Sequence, residues 1–173
     1  MQIIENLTEW QEEFTQGWLK NFTETGEVNW KRYPRIKNLS SPAGPGVDLS
    51  KSRLMFITTA GGYLKDAQIA FDTANVLGDY SLRFFPSSTA FEDIAYAHEH
   101  YDHTAVNEDP QVLLPLRHLE DMAAEGVIGE LAPTVVSFSG YHPDVSSVVK
   151  ETIPPILEIA RAEEVDAVLL VPS

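Results

Sequence analysis

The chain has 173 residues, 43% hydrophobic and 22% charged, which suits one soluble domain with its own core, or one domain carrying an arm. Its 26 acidic against 12 basic residues give a formal net charge of -14, which repels phosphate backbones and anionic bilayers and argues against nucleic acid or a membrane as partner. Cysteine is absent, so disulfides, thiolate metal sites, iron–sulfur clusters and cysteine nucleophiles are excluded, and any metal must be held by nitrogen and oxygen.

The opening MQIIENLTEW has neither the basic start nor the apolar stretch of a secretory signal, and no apolar run approaches the roughly 18–20 residues that cross a bilayer. A cytoplasmic location is expected. Residues 6–24 read as an amphipathic helix in which Asn6 caps the first turn and Glu9 reaches back to it. Leu7, Trp10, Phe14, Trp18 and Phe22 then recur every three or four residues and form one aromatic face. That face either packs on the domain itself or docks a partner subunit or second copy through Trp10, Phe14, Trp18 and Phe22.

Residues 26–51, with Pro34, Pro42, Pro45, Gly44 and Gly46, read as an extended surface connector. Its basic residues Lys31, Arg32, Arg35, Lys37 and Lys51, followed by Arg53, make a local positive patch that is either a solvated face or an attractor for a substrate carboxylate. We therefore expect an arm over 1–48 and an α/β domain over 49–173.

LMFITT at 54–59 has the continuous apolar character of a buried strand, ending in the Ala60-Gly61-Gly62 turn where glycine lets backbone approach a ligand. Further strands are expected at 91–97, 134–139 and 165–171, with helices over 115–125 and over 144–164, the latter interrupted or restarted at Pro154-Pro155. Alternating strands and helices predict an α/β fold with a partly parallel sheet flanked by helices. In such sheets ligands bind beyond the carboxyl ends of the strands, where Thr58 to Gly62, the histidines after residue 97 and Ser139 to Asp144 all fall.

Within YAHEHYDHTAVNED, His98, His100 and His103 stand beside Asp102. If the strand runs on through Asp102, its period of two puts His98, His100 and Asp102 on one face and His103 on the other, whereas a turn after His100 brings His103 back to them. Either arrangement can offer imidazole and carboxylate to a divalent ion such as zinc or iron, with His142 or Asp144 completing the shell. It can equally serve acid–base chemistry or bind a substrate carboxylate, or it can be a polar surface turn. We take His100, Asp102 and His103 as catalytic candidates, Thr59, Gly61, Gly62, Tyr101 and His142 as substrate-binding candidates, and His98, His100 and His103 as metal candidates. His118, on the 115–125 helix, reads as a structural residue. No Walker loop, G-x-G-x-x-G or G-x-S-x-G pattern is present.

The order of the motifs resembles the selenoprotein B family of glycine, sarcosine, betaine and D-proline reductases. The matching pieces are LSKSRLMFITTAGG at 49–62, HEHYDH at 98–103, residues 109–116, EGVIG at 125–129 with Leu131-Ala132-Pro133, and residues 166–172. The resemblance implies a reductive enzyme subunit that attacks a small amino-acid-like substrate with a selenol or thiol, beside a partner subunit that carries a pyruvoyl group. It also implies that the strand at 165–171 leads into the reactive cysteine or selenocysteine, whereas this sequence stops at Pro172-Ser173. Two readings stay open: the sheet and histidines serve another use, or translation stops at a selenocysteine codon. The competing class is a noncatalytic or metal-binding module, and HEHYDH also fits the H-x-H-x-D-H pattern of metallo-hydrolases, although Thr104-Ala105 and the chain length fit that family poorly.

Overall fold

The computed structural model describes residues 4–40, 44, 46–97 and 102–173. Strand β1 (Arg53–Thr58) is its centre and is buried from Leu54 to Thr58, as an uninterrupted apolar run requires. Along one edge β7 (Ala167–Val171) runs parallel to it in the register Leu54↔Ala167 to Thr58↔Val171. Along the other edge lie β5 (Glu130–Leu131) and β6 (Thr134–Ser137), both parallel to β1, with Pro133 breaking the ladder between them because proline has no N–H to give. An antiparallel strand, β3 (Arg83–Pro86), closes the far side of β6, so the spatial order is β3, β6, β1, β7. The expected partly parallel α/β sheet is thus present, with an antiparallel edge.

The strand expected at 91–97 is shorter and lies elsewhere. Residues Phe91–Asp93 form a 3-10 turn, and β4 (Ile94–Tyr96) pairs antiparallel with β2 (Gly62–Leu64) in a separate two-stranded ribbon. Gly61, at φ 66°, supplies the left-handed turn that carries the chain from β1 into this ribbon.

Alternation along β1 gives the sheet two faces. Leu54 and Phe56 join Phe85 and Val135 beneath α4 (Leu116–Ala124), whose Leu116 and Leu119 are buried at helical spacing. Met55, Ile57 and Val136 face α6 (Ile153–Ala162), where Ile156, Ile159 and Ala160 cover them. Leading into α6 are α5 (Val145–Ser147) and a π-helical turn, Val148–Thr152, with Pro154 and Pro155 in the first turn of α6 where their missing N–H groups cost least.

The N-terminal helix is built from α1 (Leu7–Phe14), a π-helical turn Thr15–Leu19 and α2 (Lys20–Thr25), stopped by Gly26 at φ 71°. Its aromatic face is not available to a partner: Trp10, Phe14 and Trp18 are 0%, 3% and 0% exposed and pack with Val145 and Val149 of the chain's own body. Stacked centroids 4.9 Å apart for Trp10–Phe14 and 5.4 Å for Phe14–Trp18 meet the edge of Tyr33 from the connector. Docking through Trp10, Phe14 and Trp18 is therefore corrected, and Phe22 alone stays half-buried. The capping expectation is also corrected, since Asn6 Oδ1 accepts from the Lys37 N–H at 2.9 Å and Glu9 pairs with Lys37 Nζ at 2.7 Å. Much of the positive patch is likewise matched locally, by Lys51–Asp48 at 2.8 Å and Arg53–Glu130 at 2.9 Å.

Candidate functional site

Strands β1, β6 and β7 run parallel, so their carboxyl ends reach one rim of the sheet. There Thr59 donates its N–H to Val171 at 3.2 Å, and its hydroxyl accepts from the Ser173 N–H at 2.9 Å and lies 3.2 Å from the Ser173 hydroxyl. Ala60 bridges to Ser139 and Gly61 donates to Phe138 at 3.1 Å, which ties the β1 and β6 ends together. Thr59 is half-buried and Ser173 exposed.

The paired glycines act differently from expectation. Both are buried; the Gly61 carbonyl accepts from Ala97 at 3.0 Å and Gly62 pairs with Tyr96, so these groups shape the crossover instead of facing a ligand. Beneath Gly62 lies the Ser137 hydroxyl, fully buried and without a hydrogen-bond partner among the described residues. A Cβ on Gly62 would stand 3.6 Å from that oxygen. Ser137 is absent from the sequence candidates, although the period of two in TVVS assigns it to the same face as Val135.

His98, His100 and Tyr101 lie outside the described residues. Among the described residues β4 stops at Tyr96, and His103 lies edge-on to Tyr96 with ring centroids 6.5 Å apart. Asp102 initiates α3 (Thr104–Glu108), its carboxylate accepting from the Thr104 N–H at 2.9 Å and hydroxyl at 2.7 Å. Those two donors hold its carboxyl below the ordinary aspartate value. Among the described residues no three histidines, aspartates or glutamates stand close enough to hold a metal, so His103 would need His98 and His100 for the expected ion.

His142 is on the other side of the sheet. Its ring stacks between Tyr80, at 4.7 Å, and Phe138, at 5.4 Å, and Phe138 packs on the α6 face, whereas Tyr96 packs on the α4 face. Nε2 lies 2.9 Å from the Asp79 carbonyl oxygen, and burial pulls the imidazole below its usual value despite that contact. Tyr33 donates to the Pro143 carbonyl at 2.8 Å and Tyr80 accepts from the Asp144 N–H at 2.6 Å, with burial pushing the Tyr33 phenol up to about 12. Asp144 caps α5 through Ser146. The segment SGYHPD is therefore a packed anchor for α5, and it does not bring His142 to His103. His118 is exposed on α4.

A cleft of about 680 Å³ lies apart from the rim, between the 72–82 loop with the start of β3 and the turn that leads into α6, and Asp72, Asp79, Tyr80 and Glu151 are among its lining residues. Its carboxylates disfavour an amino acid's own carboxylate. Asp79 is moreover occupied by the Asp72 N–H at 2.8 Å and by Ser81. The Thr59–Ser173 corner lies on the rim of the parallel strands, and the ribbon that leaves the sheet at Gly61 ends at Tyr96, against whose ring His103 stands edge-on. Among the described residues no helix is long and apolar enough to cross a membrane.

Comparison with known proteins agrees with the motif order. Residues 28–173 match the model of glycine/sarcosine/betaine reductase selenoprotein B (GRDB). The chain is similar to D-proline reductase subunit gamma of Acetoanaerobium sticklandii, with 33% identity over 123 residues covering 71% of this chain and 49% of that subunit. It is 35% identical over 118 residues to sarcosine reductase complex component B subunit beta of Peptoclostridium acidaminophilum, covering 66% and 27%. Against glycine reductase complex component B subunit gamma of Symbiobacterium thermophilum it is 32% identical over 148 residues, covering 84% and 34%. The chain thus spans half or less of the length of these relatives. No solved structure matches it. With the family model covering residues 28–173, the chain belongs to the glycine/sarcosine/betaine reductase selenoprotein B family.

Proposed function

We propose that the chain is a component of a reductase complex, that the complex acts on a small amino acid of the glycine, sarcosine, betaine or D-proline type, and that these residues present the substrate to a thiol or selenol carried outside them. The observation that carries the proposal is the rim itself. Three parallel strands end there, Thr59 is half-buried against Ser173, and the β2–β4 ribbon leads from it to Tyr96, against whose ring His103 stands edge-on. Reduction needs an electron-rich sulfur or selenium, and a chain without cysteine cannot supply the thiol. The thiol or selenol therefore comes from outside these residues, and the relatives are named as components of multi-component complexes, which supports a protein partner.

In this reading the Thr59 hydroxyl hydrogen-bonds the substrate carboxylate, and His103 acts as the proton-transferring group. The test is a titration of ¹⁵N-labelled protein with glycine, sarcosine, betaine and D-proline in turn. One of them should shift the amides of Thr59 and His103, and Thr59→Val or His103→Gln should weaken that response. Absence of any response, or shifts confined to the Asp72–Asp79 cleft, would defeat the proposal.

A further inference from the structure

Strand β7 is paired on one edge only. Its partner is β1, and among the described residues no strand lies on its other side. The sequence AVLLV is that of an interior parallel strand, yet Val168 and Leu170 are 50% and 53% exposed. No charge, proline or bulge within the strand guards the edge, contrary to the way stable exposed edges are built. On the same sheet face α6 covers Met55 and Ile57 to 0% and 6% exposure but stops short of Val168 and Leu170. Beyond it an open groove of about 310 Å³ runs between α6 and β7, with Leu157, Ala160, Val165 and Val168 along its apolar part and Arg161, Glu164 and Asp166 also among its lining residues.

We infer that this edge and groove receive a further strand–helix unit, with its strand parallel to β7 and its helix on Val168, Leu170 and Leu157. We assign that unit to the part of the family's length that this chain does not span, since the matches cover 49%, 27% and 34% of the three relatives. Handedness selects the face. The connection from β6 through α6 to β7 lies on the Met55–Ile57 side, and a right-handed connection advancing in the same direction lays its helix on that side again. The exposed Val168 and Leu170 point there. A second copy of this chain is a poorer occupant, because each copy brings a formal net charge of -14 to the contact. The inference rests on family membership and the sheet edge, and is independent of the substrate proposed above.

The test uses the full 173-residue chain and, as a separate polypeptide, the portion of the A. sticklandii D-proline reductase subunit gamma outside the matched region. The two should elute as a one-to-one complex in size-exclusion chromatography with light scattering. Hydrogen exchange should slow at the β7 amides directed away from β1. Val168→Lys with Leu170→Lys, and separately Leu157→Lys, should abolish the complex while keeping the near-UV circular dichroism of the parent, since all three side chains are already exposed. Absence of a complex, or one indifferent to these substitutions, overturns the inference. So does a dimer of the chain alone with the same amides protected.

Discussion

His142 illustrates how a residue with catalytic credentials is used to hold a loop. Burial between Tyr80 and Phe138 disfavours the charged ring, so its proton affinity in the fold lies below that in the unfolded chain. The unfolded state then binds the extra proton as pH falls. The stabilisation is complete above the unfolded value near 6.5 and is lost as pH drops through it toward the lower folded value. Urea midpoints measured between pH 7.5 and 5.5 should fall on the acid side, and His142→Phe, which keeps the stack, should flatten that slope; an unchanged slope would show that other groups set it. Gly129 makes a purely steric demand. A Cβ there would stand 2.8 Å from backbone atoms of Lys51 and Ser52, so Gly129→Ala should cost about 1–3 kcal/mol, measured by chemical denaturation.

Among the elements, the N-terminal helix depends on its ring stack. Trp10 is fully buried, stacks on Phe14 and donates its indole N–H to Pro34 at 3.2 Å, which ties helix to connector. Trp10→Ala should cost about 3–5 kcal/mol, and Phe22→Ala, at a half-buried position, distinctly less; similar losses would mean that the stack does not hold the helix. The same helix shows what sequence reveals. Its aromatic spacing disclosed the element and its face, but a stripe suited to a core is equally suited to an interface, and only Val145, Val149 and Tyr33 decide between them. Strand β1 was legible because both its faces are apolar, and β7 for the same reason. By contrast β2 and β3 are three and four residues long, too short for a period to register, and β3 ends in Pro86. At the site, Thr59 and Gly61 were legible as the end of a buried strand. The separation of His142 from His103 was not, because the side of the sheet depends on how Phe138 alternates and on a ribbon that leaves the sheet at Gly61.

Over the whole molecule, charge is the unbalanced quantity. Most of the ion pairs sit in solvent, as with Lys37 and Glu9, whose side chains are 53% and 56% exposed, and such pairs add little to stability because water already solvates both partners. The formal charge of -14 is left as a diffuse repulsion that folding concentrates into a smaller volume. Salt weakens both, but unequally. The Debye length shrinks from about 30 Å at 0.01 M to about 8 Å at 0.15 M, which removes long-range repulsion across the domain while leaving contacts at 2.7–2.9 Å only modestly screened. Thermal midpoints should therefore rise with sodium chloride over that range, and the rise should shrink at pH 5, where the more weakly acidic carboxylates begin to take up protons. A midpoint that falls with salt would mean that the local pairs around Lys37, Lys51 and Arg53 outweigh the net charge. The acidic surface would then be a set of compensated clusters and not a field opposing compaction.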